Sequence, residues 1–135
     1  MSLAKWAYFQ EVGDERGSLV ALEIGTDKAV PFDIKRVYYI YHTEQGVSRG
    51  GHAHKNLKQV AICVAGKCRM MLDDGATREN VWLDRPNKGL VIEGLVWREM
   101  HDFSKDCVLL VLASEHYDES DYIRDYDDFL KQVNQ

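Results

Sequence analysis

Turn signals recur about every 8–12 residues along this chain, a spacing that admits short strands and little else. Gly13-Asp14-Glu15-Arg16-Gly17, Gly25-Thr26-Asp27, Gly66-Lys67, Asp73-Asp74-Gly75, Arg85-Pro86-Asn87-Lys88-Gly89 and Ser104-Lys105-Asp106 all read as turns. Between them lie short runs rich in β-branched and aromatic residues, over 6–12, 18–23, 34–41, 59–65, 68–72, 77–83, 90–92, 96–101 and 107–114. Asp73-Asp74-Gly75 is a hairpin signal. Within 59–65, Val60, Ile62 and Val64 form a bulky side and Gln59, Ala61 and Cys63 a smaller one. Residues 107–114 are almost continuously apolar, as in a strand buried on both faces. So many short strands predict an all-β jelly-roll barrel or sandwich. The pattern changes only after Asp121. There Ile123, Tyr126, Phe129, Leu130 and Val133 recur at helical spacing, which predicts a short C-terminal helix with Asp118 or Ser120 as its N-cap.

The chain has 135 residues, one domain's worth, and residues 1–135 carry neither a linker nor a repeat. Its net charge of −5 argues against non-specific binding to nucleic acid or to an anionic membrane, but not against a local basic pocket. The three cysteines, Cys63, Cys68 and Cys107, are odd in number and lie in or beside apolar runs. They read as reduced core residues of a cytoplasmic protein. The acidic stretch 118–128 reads as a solvated helix face, and Lys55 and Lys58 as solvated lysines.

Chemistry concentrates in residues 46–59. His52 and His54 stand two apart, so in an extended strand they point to one side. The spacing of Gly46, His52, His54, Gln59 and Gly66 is similar to the G-x5-H-x-H-x4-E-x6-G pattern of metal-binding cupins, a jelly-roll superfamily. Two departures are chemical. Gln59 replaces the ligand glutamate, and a neutral amide is a poor substitute for a carboxylate. Arg98 falls where the last ligand histidine belongs, and a guanidinium does not ligate metal. The site is therefore expected to be metal-free, with Arg98 taking over part of the metal's electrostatic role. His101, an odd number of residues from Arg98, falls on the opposite face of a regular strand.

What remains is two imidazoles, arginines and tyrosines in a barrel. Histidine suits acid–base work near neutral pH. Arg16 and Arg49, each beside a glycine, are candidate clamps for phosphate or an oxyanion. Tyr39 and Tyr41 share a strand face, one to stack and one to donate a proton. The pattern points to proton transfer on an anionic small molecule.

Nearly end to end, the chain resembles the thymidine-diphosphate-sugar 3,4-ketoisomerases, the FdtA-like or WxcM-like family of cupins. The resemblance is carried by Arg16-Gly17-Ser18-Leu19-Val20, Lys35-Arg36-Val37-Tyr38-Tyr39-Ile40, Arg49-Gly50 with His52-Ala53-His54-Lys55, Leu72-Asp73-Asp74-Gly75 and Val96-Trp97 with Glu99-Met100-His101-Asp102-Phe103-Ser104. Further matches are Leu112-Ala113-Ser114 with Tyr117-Asp118, and Asp121-Tyr122-Ile123-Arg124. It implies a cupin jelly roll, a homodimer, no metal or other cofactor, and dTDP-4-keto-6-deoxyglucose as the substrate of isomerisation to a 3-keto-6-deoxyhexose. On that footing His52 is expected to be the base at C3. His54 is its partner or proton shuttle, and Tyr39, ahead of Tyr41, is the donor to the oxyanion. Arg16, Arg49, Arg98, Tyr41, Gln59 and Tyr117 are expected to bind substrate. With arginine at both 16 and 98, the configuration at C4 stays open. Competing readings are a deoxysugar-nucleotide 3,5-epimerase, to which the Asp14-Glu15-Arg16-Gly17 and Arg49-Gly50-Gly51-His52 segments are also similar, a metal-binding cupin enzyme, and a non-catalytic sugar-binding cupin.

Overall fold

The computed structural model describes residues 2–24 and 29–135; the turn expected at 25–27 lies outside them. In chain order the strands are β1 (Lys5–Tyr8), β2 (Val12–Asp14), β3 (Gly17–Leu19), β4 (Arg36–Tyr41), β5 (Arg49–His54), β6 (Gln59–Ala65), β7 (Cys68–Asp73), β8 (Arg78–Leu83), β9 (Lys88–Ile92), β10 (Trp97–His101), β11 (Val108–Ala113) and β12 (Tyr122–Ile123). A single α-helix, α1 (Tyr126–Val133), follows.

Two five-stranded antiparallel sheets, ordered β1-β9-β6-β11-β4 and β12-β5-β10-β7-β8, form the barrel, and β2-β3 is a separate hairpin. The period-2 alternation of the strands decides what fills it. Ala61 and Cys63 of β6 meet Met70 and Leu72 of β7, Leu90 and Ile92 of β9, Met100 of β10 and Leu109 and Val111 of β11 in the main core. The opposite residues, Val60 and Ile62, pack with Ala7, Phe9, Val30, Val91 and Leu112 in a second cluster. The smaller side of β6 thus joins the main core and the bulkier side joins this second layer. Gly89 marks how tightly that layer is packed, because a Cβ there would come within 2.5 Å of Val60 Cγ1.

A third cluster joins Ala53, Met71 and Trp97 to Ile123 and Phe129, so that α1 closes against the second sheet. Asp73, almost fully buried, accepts hydrogen bonds from Tyr126 Oη at 2.6 Å, Arg78 Nε at 2.8 Å and Gly75 N at 2.7 Å. That carboxylate ties the helix to the β7–β8 hairpin.

Several expected boundaries move. The run 6–12 divides, because Val12–Asp14 pairs with Gly17–Leu19 in the hairpin instead of continuing β1. Regular strand ends at Leu19 rather than at 23. The helix starts at Tyr126, not near 121, and its N-cap is Asp125, whose side chain accepts from Asp127 N and Asp128 N. Asp118 instead caps a 3-10 turn, Glu119–Asp121. The reason is tertiary: Tyr122 and Ile123 pair with His54 and Ala53, and this strand pairing overrides the helical spacing of Ile123.

Candidate active site

The histidine pair sits where β5 lies between β10 and β12. Gly50 and Gly51 both have positive φ, +84° and +74°. The β5–β10 ladder shifts register between Arg98 and Glu99, next to them, and a Cβ on Gly50 would meet Arg98 O at 3.0 Å. The glycines let the strand bulge and re-aim the side chains of its second half. His52 then lies opposite Arg98, and the His52 and His54 rings stand edge-on with centroids 4.8 Å apart. Tyr122 on β12 covers both, 5.0 Å from His52 and 4.3 Å from His54.

Each imidazole has a buried nitrogen with no protein partner, Nδ1 on His52 and Nε2 on His54. The other nitrogen of His54 is committed: Nδ1 lies 3.3 Å from Asp121 Oδ2. Asp121 is itself fixed by two backbone donors, Asn56 N at 2.8 Å and Leu57 N at 3.2 Å. A carboxylate accepts and does not donate, so this contact assigns the His54 proton to Nδ1 and leaves Nε2 as a lone pair.

Beneath the pair lies Arg98, only 1% exposed. Its Nη1 donates to Gln59 Oε1 at 2.8 Å, and Gln59 Nε2 donates to the Tyr38 hydroxyl at 2.9 Å. Arg98 Nε and Nη2 are buried without a partner, as is Arg36 Nε. Buried polar groups are normally satisfied, so unpaired donors and lone pairs gathered around one cleft mark it as built for a polar ligand.

The charges act in one direction. Burial, reinforced by the Arg98 cation, lowers His52 to about 4. The same two causes lower His54 to about 2. Both rings are neutral at neutral pH and able to accept a proton. Burial pulls Arg98 down to about 10, which still leaves it charged. Burial raises the Tyr38 phenol, against the lowering effect of its Gln59 hydrogen bond, so Tyr38 remains a proton donor.

Two adjoining cavities open over these groups. One, about 390 Å³, is lined by Tyr38, Ser48, Arg49, His52, Tyr122 and Arg124 among others. The second, about 560 Å³, is lined by His54, Asn56, Tyr117, Asp121 and Tyr122. Arg36 lines both.

Of the expected site residues, His52, His54, Gln59 and Arg98 come together, Arg49 lies at the rim, and Tyr117 walls the second cavity with its ring 5.6 Å from that of Tyr122. Tyr39 and Tyr41 do not join them. They are 61% and 56% exposed on the outer side of β4. The correction is one of parity, since alternation sends Tyr38 and Ile40 inward instead. Arg16 also stays apart: it lines neither cavity and pairs with Asp14 at 2.7 Å in the β2–β3 hairpin. His101 does point away from Arg98, and it bonds Ser48 Oγ at 2.8 Å and Glu99 Oε1 at 3.0 Å. The residues that the sequence reading missed are Tyr38, Arg36, Asp121, Tyr122 and Arg124. Asp121 belongs to the acidic stretch read as a solvated face, yet it orients His54.

The donor set does not fit a divalent cation. Gln59 Oε1 already accepts from Arg98, and the guanidinium places a fixed positive charge beside both imidazoles.

Residues 2–134 match the family FdtA, described as WxcM-like, C-terminal. The chain is 54% identical over 125 residues to the TDP-4-oxo-6-deoxy-alpha-D-glucose-3,4-oxoisomerase of Aneurinibacillus thermoaerophilus, covering 93% of this chain and 88% of that protein. Its structure is similar to that of a 3,4-ketoisomerase from Helicobacter canadensis, with a TM-score of 0.93, 50% identity and full coverage of both chains. It is also similar to a histidine-to-asparagine mutant of the 3,4-ketoisomerase QdtA from Thermoanaerobacterium thermosaccharolyticum in complex with TDP-4-keto-6-deoxyglucose. That match has a TM-score of 0.94 and 42% identity, and covers 99% of this chain and 96% of that one.

Proposed function

The chain belongs to the FdtA family, WxcM-like, C-terminal, and from this we propose that it is a sugar-nucleotide isomerase converting dTDP-4-keto-6-deoxyglucose to a dTDP-3-keto-6-deoxyhexose. The observation that carries the mechanism is the set of buried, unpartnered polar atoms on His52, His54, Arg98 and Arg36 around one cleft.

The C4 carbonyl acidifies the proton at C3. His52, neutral and with a free nitrogen, removes it, and the electron pair moves onto O4 as an enediolate. Arg98 Nε–H and Nη2–H, pre-placed in a dry site, stabilise that oxyanion without reorganising. Tyr38, which accepts from Gln59 and keeps its own O–H to donate, takes the role expected of Tyr39. His54, oriented by Asp121, carries the proton between O3 and O4 or delivers it to C4. Protonation at C4 completes the 3-keto sugar. Arg36, Arg49 and Arg124 supply positive charge at the cleft for the diphosphate. None of these steps needs a metal or another cofactor.

We further propose a homodimer. Its support is an apolar stripe on the edge strand β4, where Val37, Tyr39 and Tyr41 are all more than half exposed. Three free cysteines support a reducing, cytoplasmic setting. Among the described residues, no helix is long and apolar enough to cross a membrane.

Incubation with dTDP-4-keto-6-deoxyglucose in deuterium oxide, followed by NMR, tests the function. A 3-keto product deuterated at C4 is expected. Exchange at C5 instead indicates an epimerase, and binding without exchange leaves only a sugar-binding role. His52→Asn is expected to abolish turnover and keep nucleotide binding; near-wild-type turnover removes His52 from the base role.

A further inference from the structure

The catalytic reading leaves one cluster of reactive side chains unused. Cys63 near the end of β6, Cys68 at the start of β7 and Cys107 just before β11 converge in the main core. Cys63 Sγ lies 3.6 Å from Cys68 Sγ and 3.6 Å from Cys107 Sγ, and all three sulfurs lie within 4.8 Å of one another. Among the described residues this is the one group of three or more His, Cys, Asp or Glu side chains close enough to share an ion.

We infer that this thiol triad is a binding site for a trivalent thiophilic metalloid, with arsenic(III) as its representative. The donor set is all sulfur, which selects a soft centre over a hard cation. Charge then decides among soft centres. The triad is almost fully buried among Met70, Leu83, Met100, Phe103 and Leu109. A net charge in such surroundings is costly. A dication on three thiolates leaves one net negative charge, and a cuprous ion leaves two. A trivalent centre on three thiolates is neutral.

The reaction balances without redox change. Arsenous acid and three cysteine thiols give three As–S bonds, and each thiol proton leaves with a hydroxyl as water. The thiols resist ionisation by themselves. The neighbouring Cys68 thiol and burial push Cys63 well above its ordinary value, and burial pushes Cys107 up to about 12. Condensation that releases water suits such protonated thiols better than capture of a free cation.

Of the three thiols, Cys107 lies nearest the surface. It borders a surface recess of about 440 Å³ formed with Tyr39, Tyr41, His42, Lys105 and Val108. The β6–β7 turn closes over it, since a Cβ on Gly66 would come within 2.8 Å of Cys107 Cα. Cys63 is four steps along β6 from Gln59, about 13 Å of extended strand. The triad is therefore a second site that occupancy of the cleft does not require.

The test is titration of the folded, reduced protein with arsenite, read by native mass spectrometry and by thiolate-to-arsenic absorption. One arsenic per chain, with loss of three waters, is expected, together with a raised Tm. Cys68→Ala and Cys107→Ala are each expected to keep sugar turnover, which certifies folding, and to weaken arsenic retention at least tenfold. Zinc(II) under the same conditions is expected to show no retained ion. Absence of arsenic from the folded protein, undiminished retention in Cys107→Ala, or zinc bound equally well would each overturn the assignment. None of these outcomes bears on the isomerase reading, which the turnover assay measures separately.

Discussion

Replacing Arg98 with methionine is expected to make the free protein more stable and far less active. Arg98 is almost fully buried and its side chain makes one hydrogen bond, to Gln59; among the described residues no carboxylate lies within ion-pair distance of it. Burial lowers its folded pKa to about 10 against an ordinary 12.5, despite nearby Tyr38, Tyr122 and Asp121, which corresponds to a net cost to the charged form on the order of 3 kcal/mol. Methionine has a similar reach, fills much of the same volume and carries no charge. The substitution strands Gln59 Oε1, which costs about 1 kcal/mol. The balance is a gain of about 2 kcal/mol, in line with replacements of buried charge by apolar side chains. Spread over the unfolding entropy of a chain this size, that is a rise in Tm of roughly 7 °C. Thermal unfolding by circular dichroism at neutral pH, without nucleotide or phosphate, reads it directly. Addition of a dTDP-linked sugar is expected to raise the wild-type Tm more than that of the variant, because the variant lacks the two free donors that face the sugar. A Tm that falls or stays fixed in the variant would mean that Arg98 is compensated in the free protein, and the case for a strained, ligand-seeking charge would fail.

The same geometry sets four further outcomes. Tyr38→Phe is expected to lower kcat by roughly 100-fold, in the range for loss of an acid–base group, while Tyr39→Phe leaves it unchanged; equal losses in steady-state assays would restore Tyr39 to the site. Asp121→Asn is expected to reduce kcat about 100-fold with little change in nucleotide affinity, by freeing the His54 tautomer; wild-type rates would mean that Asp121 does not orient His54. The acid limb of kcat/KM is expected near pH 4 instead of 6.5. Folding stability is expected to fall as pH drops from 6.5 toward 4, because the unfolded histidines take up protons that the buried ones refuse; an acid limb at 6.5 with flat stability would refute the lowered values. Phe129→Ala, which empties a fully buried ring position between Trp97 and Tyr126, is expected to cost about 3–5 kcal/mol in chemical denaturation; a loss under 1 kcal/mol would mean that α1 does not close the core.

Legibility in the sequence tracked the range of the interaction. Residues 59–65 form a strand with those ends, because alternation and the Gly66 turn are local signals. The His52–His54 pair also depends only on strand parity. The placements of Tyr39 and of the histidines turn on one rule: parity relates i to i+2 but does not say which side of β4 faces the barrel. The missing signal was in Val37, Tyr39 and Tyr41 against Tyr38 and Ile40. Both faces are apolar, and only the packing against β11 settles the choice. Asp121 and Tyr122 were harder. They reach His54 across more than sixty residues of sequence, and their local context, an acidic run before a helix, has a sufficient bland explanation. Their place in the segment Asp121-Tyr122-Ile123-Arg124, one of those that carry the family resemblance, was the available clue. The place of Arg98 in the site was legible from the ligand spacing, but the completeness of its burial was not, since it depends on both neighbouring strands being in place.

The buried cation and the lowered histidines are one device. Arg98 is the second cause, after burial, of the low values of both His52 and His54, and Arg124 contributes to each as well. In the free protein the site is therefore over-supplied with positive charge and holds two weak bases. A sugar diphosphate brings negative charge to Arg36, Arg49 and Arg124 at the cleft. That charge opposes the arginine contribution and moves His52 toward the range where a base is effective. The developing oxyanion does the same beside Arg98 as C3 loses its proton. Binding energy from the remote diphosphate is thus converted into basicity at the reacting carbon. A 4-keto sugar lacking the nucleotide diphosphate is expected to lose kcat as well as affinity. If it kept the full kcat at saturation, His52 would owe its basicity to something other than the anion.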